Sequence, residues 1–153
     1  MDPMNLTKAP IAKAEMLIRR PVAEVYNAFT DPAVTTKFWF TKSSGRLVAN
    51  QQVQWEWEMY GAATQVLVKA LEPNQRIRIE WSDPPTTVEW VFAPHGPDAT
   101  FVSITHFGFA GDGDAVVEQV IGSTEGFALV LAGLKAFLEH GLALNLIGDR
   151  FPR

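Results

Sequence analysis

The stretch VQWEWEMYG, residues 53–61, alternates apolar Val53, Trp55, Trp57 and Met59 with polar Gln54, Glu56 and Glu58. That is the period-two pattern of a strand with one buried and one wet face. Two tryptophans and a methionine on one face require an apolar partner. The same phase continues downstream through ATQVLVKAL, RIRIEW, TTVEWVF and TFVSITHFGF, with breaks at Gly61, Pro73-Asn74, Asp83-Pro84-Pro85 and His95-Gly96-Pro97-Asp98. Upstream, GRLVAN reads as one more strand ending at Asn50. Connections this short make an antiparallel meander. In phase with Trp55 and Trp57 stand Val66 and Val68, then Ile77, Ile79 and Trp81, then Val88, Trp90 and Phe92. The opposite rows hold Gln65 and Lys69, Arg76, Arg78 and Glu80, and Thr87 and Glu89, so one sheet face is rich in tryptophan and the other is wet.

Before this meander, Ala14, Met16 and Ile18 alternate with Lys13, Glu15 and Arg19 in a first strand that Pro21 stops. PVAEVYNAF then reads as a short helix with Val22, Val25, Tyr26 and Phe29 on one side. A second helix start follows at Asp31-Pro32, an acidic N-cap before proline at N1, and carries Phe38, Trp39 and Phe40. After the meander, Phe127, Val130, Leu131, Leu134, Phe137 and Leu138 recur at helical spacing in a helix over about residues 115–140, with Gly141 as its C-cap. The expected fold is α+β: a curved antiparallel sheet of about six to seven strands gripping a long C-terminal helix, with two short helices after the first strand. Mid-sized helix residues cannot fill every gap against a curved sheet, which predicts an internal cavity. Trp55, Trp57 and Met59 would wall it.

Residues 1–153 fit one domain, long enough to bury a core without staples. Residues 1–10 are expected to be flexible, and the apolar tail 142–153 to pack back on the domain or to make a two-fold contact in a homodimer. The net charge is -4 and the 13 Lys and Arg residues are scattered, which argues against nucleic acid as a partner. With zero cysteines the chain has no disulfide and no thiolate metal site. No signal peptide is visible, and Lys135, Glu139 and His140 interrupt the most apolar tract, so no membrane span is expected. Together these features describe a cytoplasmic protein.

The order strand, PVAEVYNAFTDP, FW, six strands and long helix, with TFVSITHFGF leading into a Gly-Asp turn and GFALVLAGLKAFLEHGLALNLIGDRFP closing the chain, resembles the START-like (SRPBCC, helix-grip) superfamily. Within it, the chain is similar to the C-terminal domain of the activator of the heat-shock protein 90 ATPase. The resemblance implies an apolar cavity open near the second short helix, used in relatives for lipids, polyketides, plant hormones or aromatic metabolites. It also implies a heat-shock protein 90 homologue as an alternative partner. The eukaryotic co-chaperone carries an additional N-terminal domain, and no part of residues 1–153 reads as one.

His106 lies in phase with Val102 and Ile104 and is either the polar anchor of the cavity or a core histidine satisfied by a backbone carbonyl or water. No second titratable residue stands beside it in the sequence. His95, His106 and His140 have no metal-ligand spacing, so no metal or other cofactor is expected. GSTEG at residues 122–126 resembles a nucleophile elbow but falls inside a helix, where its glycines would permit close approach; Glu125 points either to the cavity or to solvent. FGFAGDGDA, residues 107–115, does not have the glycine spacing of a dinucleotide site, and Asp112 and Asp114 read as helix caps. Trp39, in an aromatic cluster at the expected mouth, reads as a lid. The candidate ligand-binding set is Trp39, Trp55, Trp57, Met59, Trp81, Trp90, Phe92, His106 and Phe127, with Tyr60 as an auxiliary polar group. The leading expectation is a small hydrophobic ligand, ahead of a chaperone-binding module and of a cyclase-like or hydrolase-like enzyme. No catalytic residue is assigned, because no paired acid and base can be read.

Overall fold

The computed structural model describes residues 4–152. Strand β1 (Ala12–Ile18) leads into helices α1 (Val22–Thr30) and α2 (Pro32–Thr35), followed by strands β2 (Lys42–Ser43) and β3 (Gln52–Trp57). A 3-10 turn (Glu58–Tyr60) connects to β4 (Ala62–Glu72), β5 (Arg76–Trp81), β6 (Thr86–Pro94) and β7 (Thr100–Phe107), and the chain ends in α3 (Gly113–His140) and α4 (Leu146–Arg150). The seven strands form one antiparallel sheet in the order β1-β7-β6-β5-β4-β3-β2. A register shift between Val68 and Ala70 marks a bulge in β4, which bends and twists the sheet locally.

Register follows the alternation. Val53 pairs with Val66, Val68 with Ile79, Ile79 with Val88, Trp90 with Ile104, and Phe92 with Val102. These residues form one buried face that continues into Phe127, Val130, Leu131 and Leu134 of α3. On the opposite face Arg76 and Arg78 share Glu89, a half-exposed arrangement worth little to stability. Helix α3 runs along β1 and is tied there by Lys135, whose Nζ donates to Leu17 O and Glu139 Oε2, both at 2.7 Å, while Glu139 also accepts from Arg19 N at 2.9 Å. Asp112 caps α3 by accepting from Ala115 N, and Gly141 ends it in the left-handed conformation at φ 67°.

Three expectations change. GRLVAN is not a strand: Leu47, Val48 and Ala49 are consecutive rather than alternate, and the segment bonds outward instead, Leu47 N to Thr30 O and Asn50 N to Val68 O. The strand in its place is the two-residue β2, with Ser43 opposite Trp55. Secondly, β3 stops at Trp57, so Met59 sits on the 3-10 turn that Gly61 closes at φ 60°. Thirdly, α2 has the predicted Asp31 cap and Pro32 start but ends at Thr35, leaving Phe38, Trp39 and Phe40 beyond it. Helix α3 would pass for a membrane span by length and composition alone. Lys135, Glu139 and His140 fall in its last two turns, and Asp114, Glu118 and Glu125 lie in the turns before them. Its buried residues make it the core helix of the sheet.

Of the N-terminal residues expected to be loose, 1–3 lie outside the described residues. Met4 N donates to Asp114 Oδ1 at 2.8 Å. Asp114 thus holds this segment, whereas Asp112 alone caps the helix.

Candidate functional site

Where β5 ends, Trp81 pairs across the sheet with Thr86, the first residue of β6, and His106 of β7 stands opposite Val88. Strand alternation puts Trp81, Thr86 and His106 at the same end of the buried face. Helix α3 crosses this end and presents Ser123, Gly126, Phe127 and Val130 to it, at the i, i+3, i+4, i+7 spacing of one helix face. Ile147 of α4 and Trp39 complete the wall of a pocket of about 260 Å³.

Trp39 is the hub of the site rather than a lid over it. It is 7% exposed, and its ring lies 4.9 Å from that of Trp55, 5.5 Å from Phe40, 5.7 Å from Phe127 and 6.0 Å from both Trp81 and Trp90. Tilted and edge-to-face arrangements of this kind are the favourable ones for aromatic pairs. Gly133 allows the approach of this segment to α3: a Cβ there would lie 3.2 Å from Phe38 Cβ and 3.3 Å from Phe38 O.

His106 is 8% exposed and has three side-chain hydrogen-bond partners among the described residues. Its Nε2 lies 2.7 Å from Thr86 Oγ1 and 3.3 Å from Trp81 Nε1, and its Nδ1 lies 2.7 Å from Ser123 Oγ. Both of its ring nitrogens are thus met by side chains rather than by a backbone carbonyl. Burial lowers its pKa from 6.5 to about 4, so the imidazole is neutral near pH 7. The unfolded chain binds the extra proton between those two values and the folded chain does not. Stability is therefore complete above pH 6.5 and falls as the pH drops toward 4, by up to about 3 kcal/mol. Urea midpoints measured across pH 4–7 should fall less steeply for His106→Gln than for the native chain. Equal slopes would show that His106 does not carry the effect.

Of the predicted ligand-binding residues, the fold brings Trp39, Trp81, His106 and Phe127 to the pocket wall. Trp55, Trp90 and Phe92 are buried behind it as core, with Trp55 stacked on Phe40 at 4.6 Å. Trp90 Nε1 is buried and has no hydrogen-bond partner among the described residues. Trp57 is half-buried outside the lining, against Trp39, Phe40 and Trp81. Met59 borders a smaller depression of about 50 Å³ with Trp39 and Ile147.

Tyr60 and Glu125 border an adjoining pocket of about 230 Å³ with Arg150 and Phe151; it shares Gly126 and Ile147 with the first. There the Tyr60 hydroxyl donates to Ile147 O, and Arg150 pairs with Glu125, whose carboxyl that hydrogen bond holds below the usual carboxylate range. Glu125 is thus turned away from the aromatic pocket. Gly122 and Gly126 face open space rather than a close neighbour.

Ser123, Gly126, Val130 and Ile147 are the lining residues the sequence reading missed. The first three carried a usable signal, because Phe127 fixes the inward face and they follow from it by helical spacing. Ile147 carried none, since where a tail docks is set by tertiary contacts. Among the described residues no three His, Cys, Asp or Glu side chains come together as metal ligands.

A model of the family described as Activator of Hsp90 ATPase homolog 1-like protein matches residues 19–139. No curated protein gives a significant match. Among solved structures, protein SSP2350 from Staphylococcus saprophyticus is 28% identical, with a TM-score of 0.77 over 88% of this chain and 96% of that one. The Aha1 dimer from Colwellia psychrerythraea is 20% identical, with a TM-score of 0.74 over 86% and 98%. DynU16, from the dynemicin biosynthetic locus, is 22% identical, with a TM-score of 0.75 over 87% of this chain but 48% of its own. The family match covers most of the chain and coincides with the sheet and core helix just described: the chain belongs to the Activator of Hsp90 ATPase homolog 1-like family.

Proposed function

We propose that this protein is a cytoplasmic binder of a small, uncharged apolar or aromatic molecule, held in the pocket between Trp39, Trp81, Phe127 and Ile147. The observation that carries the reading is an aromatic pocket with a single polar corner, His106 with Ser123. Apolar walls with few, fixed polar groups are the usual make-up of a ligand site. At about 260 Å³ the pocket lies just below the usual range of about 300–1,000 Å³, so its occupant has one or two rings rather than a lipid chain or a polyketide. DynU16, a relative in fold, comes from a biosynthetic locus, a setting of small-molecule chemistry.

A thermal-shift screen of one- and two-ring aromatics tests the reading. A true ligand at a hundred times its dissociation constant should add about 2.7 kcal/mol and raise the midpoint in a dose-dependent way. A flat screen on well-folded protein would transfer the weight to the second reading, a chaperone-binding module, which the family's description favours. In that reading the exposed Leu142, Leu144 and Phe151 of the tail supply the contact surface. They also offer a two-fold contact, and the relative from Colwellia psychrerythraea is a dimer. An unchanged ATPase rate of a heat-shock protein 90 homologue on adding the protein would count against the chaperone role.

A further inference from the structure

The hydrogen bonds around His106 determine where its proton sits. Trp81 Nε1–H can only donate, and it points at His106 Nε2 from 3.3 Å. Nε2 is therefore assigned as the unprotonated nitrogen, and Thr86 Oγ1, 2.7 Å away, then gives its one hydrogen to Nε2 in preference to Trp81 O at 3.4 Å. A neutral imidazole then carries its hydrogen on Nδ1 and donates it to Ser123 Oγ at 2.7 Å. Ser123 accepts in that bond, so its own hydroxyl hydrogen is still to be donated.

Serine within a helix commonly returns that hydrogen to the carbonyl four residues back. Here that carbonyl is not used: among the described residues His106 is the one hydrogen-bond partner of Ser123 Oγ. Ser123 also lines the aromatic pocket. A directed hydroxyl donor thus faces a space otherwise walled by rings and aliphatic carbon.

None of the pocket's lining residues carries a charge near pH 7, since His106 is neutral there. A carboxylate or an ammonium entering would lose its hydration with no counter-charge in return. Arg150 borders the adjoining pocket, which shares Gly126 and Ile147 with this one, and its charge is paired there with Glu125.

We propose that Ser123 is the polar anchor of the pocket and that the occupant is an uncharged aromatic molecule bearing one hydrogen-bond acceptor, an aryl ketone, aldehyde or ester, whose carbonyl oxygen receives the Ser123 hydroxyl. This rests on the ligand-binding reading and narrows it to a chemical class. The same tautomer speaks against a Ser-His nucleophile. His106 donates to Ser123 and has no free lone pair on Nδ1 to take its proton, so an aryl ester is bound without being cleaved.

Three one-ring probes of nearly equal shape test the assignment: acetophenone, its hydrocarbon isostere α-methylstyrene, and benzoate. Their dissociation constants can be read from the indole N–H resonances of the five tryptophans. A net hydrogen bond is worth roughly a tenfold difference in affinity. Acetophenone should accordingly bind about tenfold more tightly than α-methylstyrene, and benzoate more weakly than both. Ser123→Ala should bring acetophenone down to the affinity of α-methylstyrene and leave α-methylstyrene unchanged, which also certifies the fold of the variant. Ser123→Cys, of similar volume but a weak donor, should fall between.

Equal binding of acetophenone and α-methylstyrene by the native protein, or a ketone preference that survives Ser123→Ala, overturns the anchor and leaves the pocket standing. Tighter binding of benzoate overturns the uncharged class. Failure of all three probes to bind overturns the pocket itself.

Discussion

Trp39→Ala is expected to destabilise the fold by about 3–5 kcal/mol, a large part of the roughly 5–15 kcal/mol that holds a domain together. The side chain is almost fully buried and touches rings from β3, β5, β6 and α3 at once. Truncating it would leave a hole that no single element can close. The urea midpoint should fall sharply, while Trp57→Ala, at a half-buried position outside the pocket lining, should cost less. A Trp39→Ala protein with an unchanged midpoint would return Trp39 to the role of a movable lid.

Gly126→Leu should separate binding from folding in the opposite sense. An added Cβ at Gly126 meets nothing within 4 Å, and the residue lies inside α3, where leucine is favoured over glycine by about 0.8 kcal/mol. The variant should therefore be at least as stable as the native chain. Its isobutyl group, however, would project into the pocket, and crowding of about 1–3 kcal/mol corresponds to a loss of about five- to a hundredfold in ligand affinity. A stable variant that binds as tightly as the native chain would place the ligand elsewhere. A ligand-binding defect that came with a matching loss of stability would mean that the leucine disrupts packing, not access.

The sheet and its buried face were legible because alternation is a local signal: once Trp55 fixes the inward phase, Val66, Ile79, Val88, Trp90 and Ile104 follow by counting. The long helix was equally legible from the spacing around Phe127 and from Gly141. The site was legible only in part. Sequence phase says which residues face inward, not which of them border empty space, and so it could not tell Trp81 at the pocket from Trp90 packed behind it. The partners of His106 were hidden for a related reason. Trp81, Thr86 and Ser123 lie 25, 20 and 17 residues away from it and meet only through strand register and the crossing of α3. The docking of Ile147 depends on bonds to Tyr60, 87 residues distant, which no pattern in the tail announces.

All five tryptophans of the chain lie in one cluster: each of the other four has its ring centroid within 6.2 Å of that of Trp39. At such separations indoles do not absorb or emit independently. Excitation migrates among them before emission, and their transitions couple into a shared circular-dichroism signal. The fluorescence of this protein is therefore a property of the whole cluster, and removing one indole will not subtract one fifth of it. A guest resting on Trp39 and Trp81 touches the shared pathway of all five, so the molecule carries its own optical reporter at the place where occupancy is to be detected.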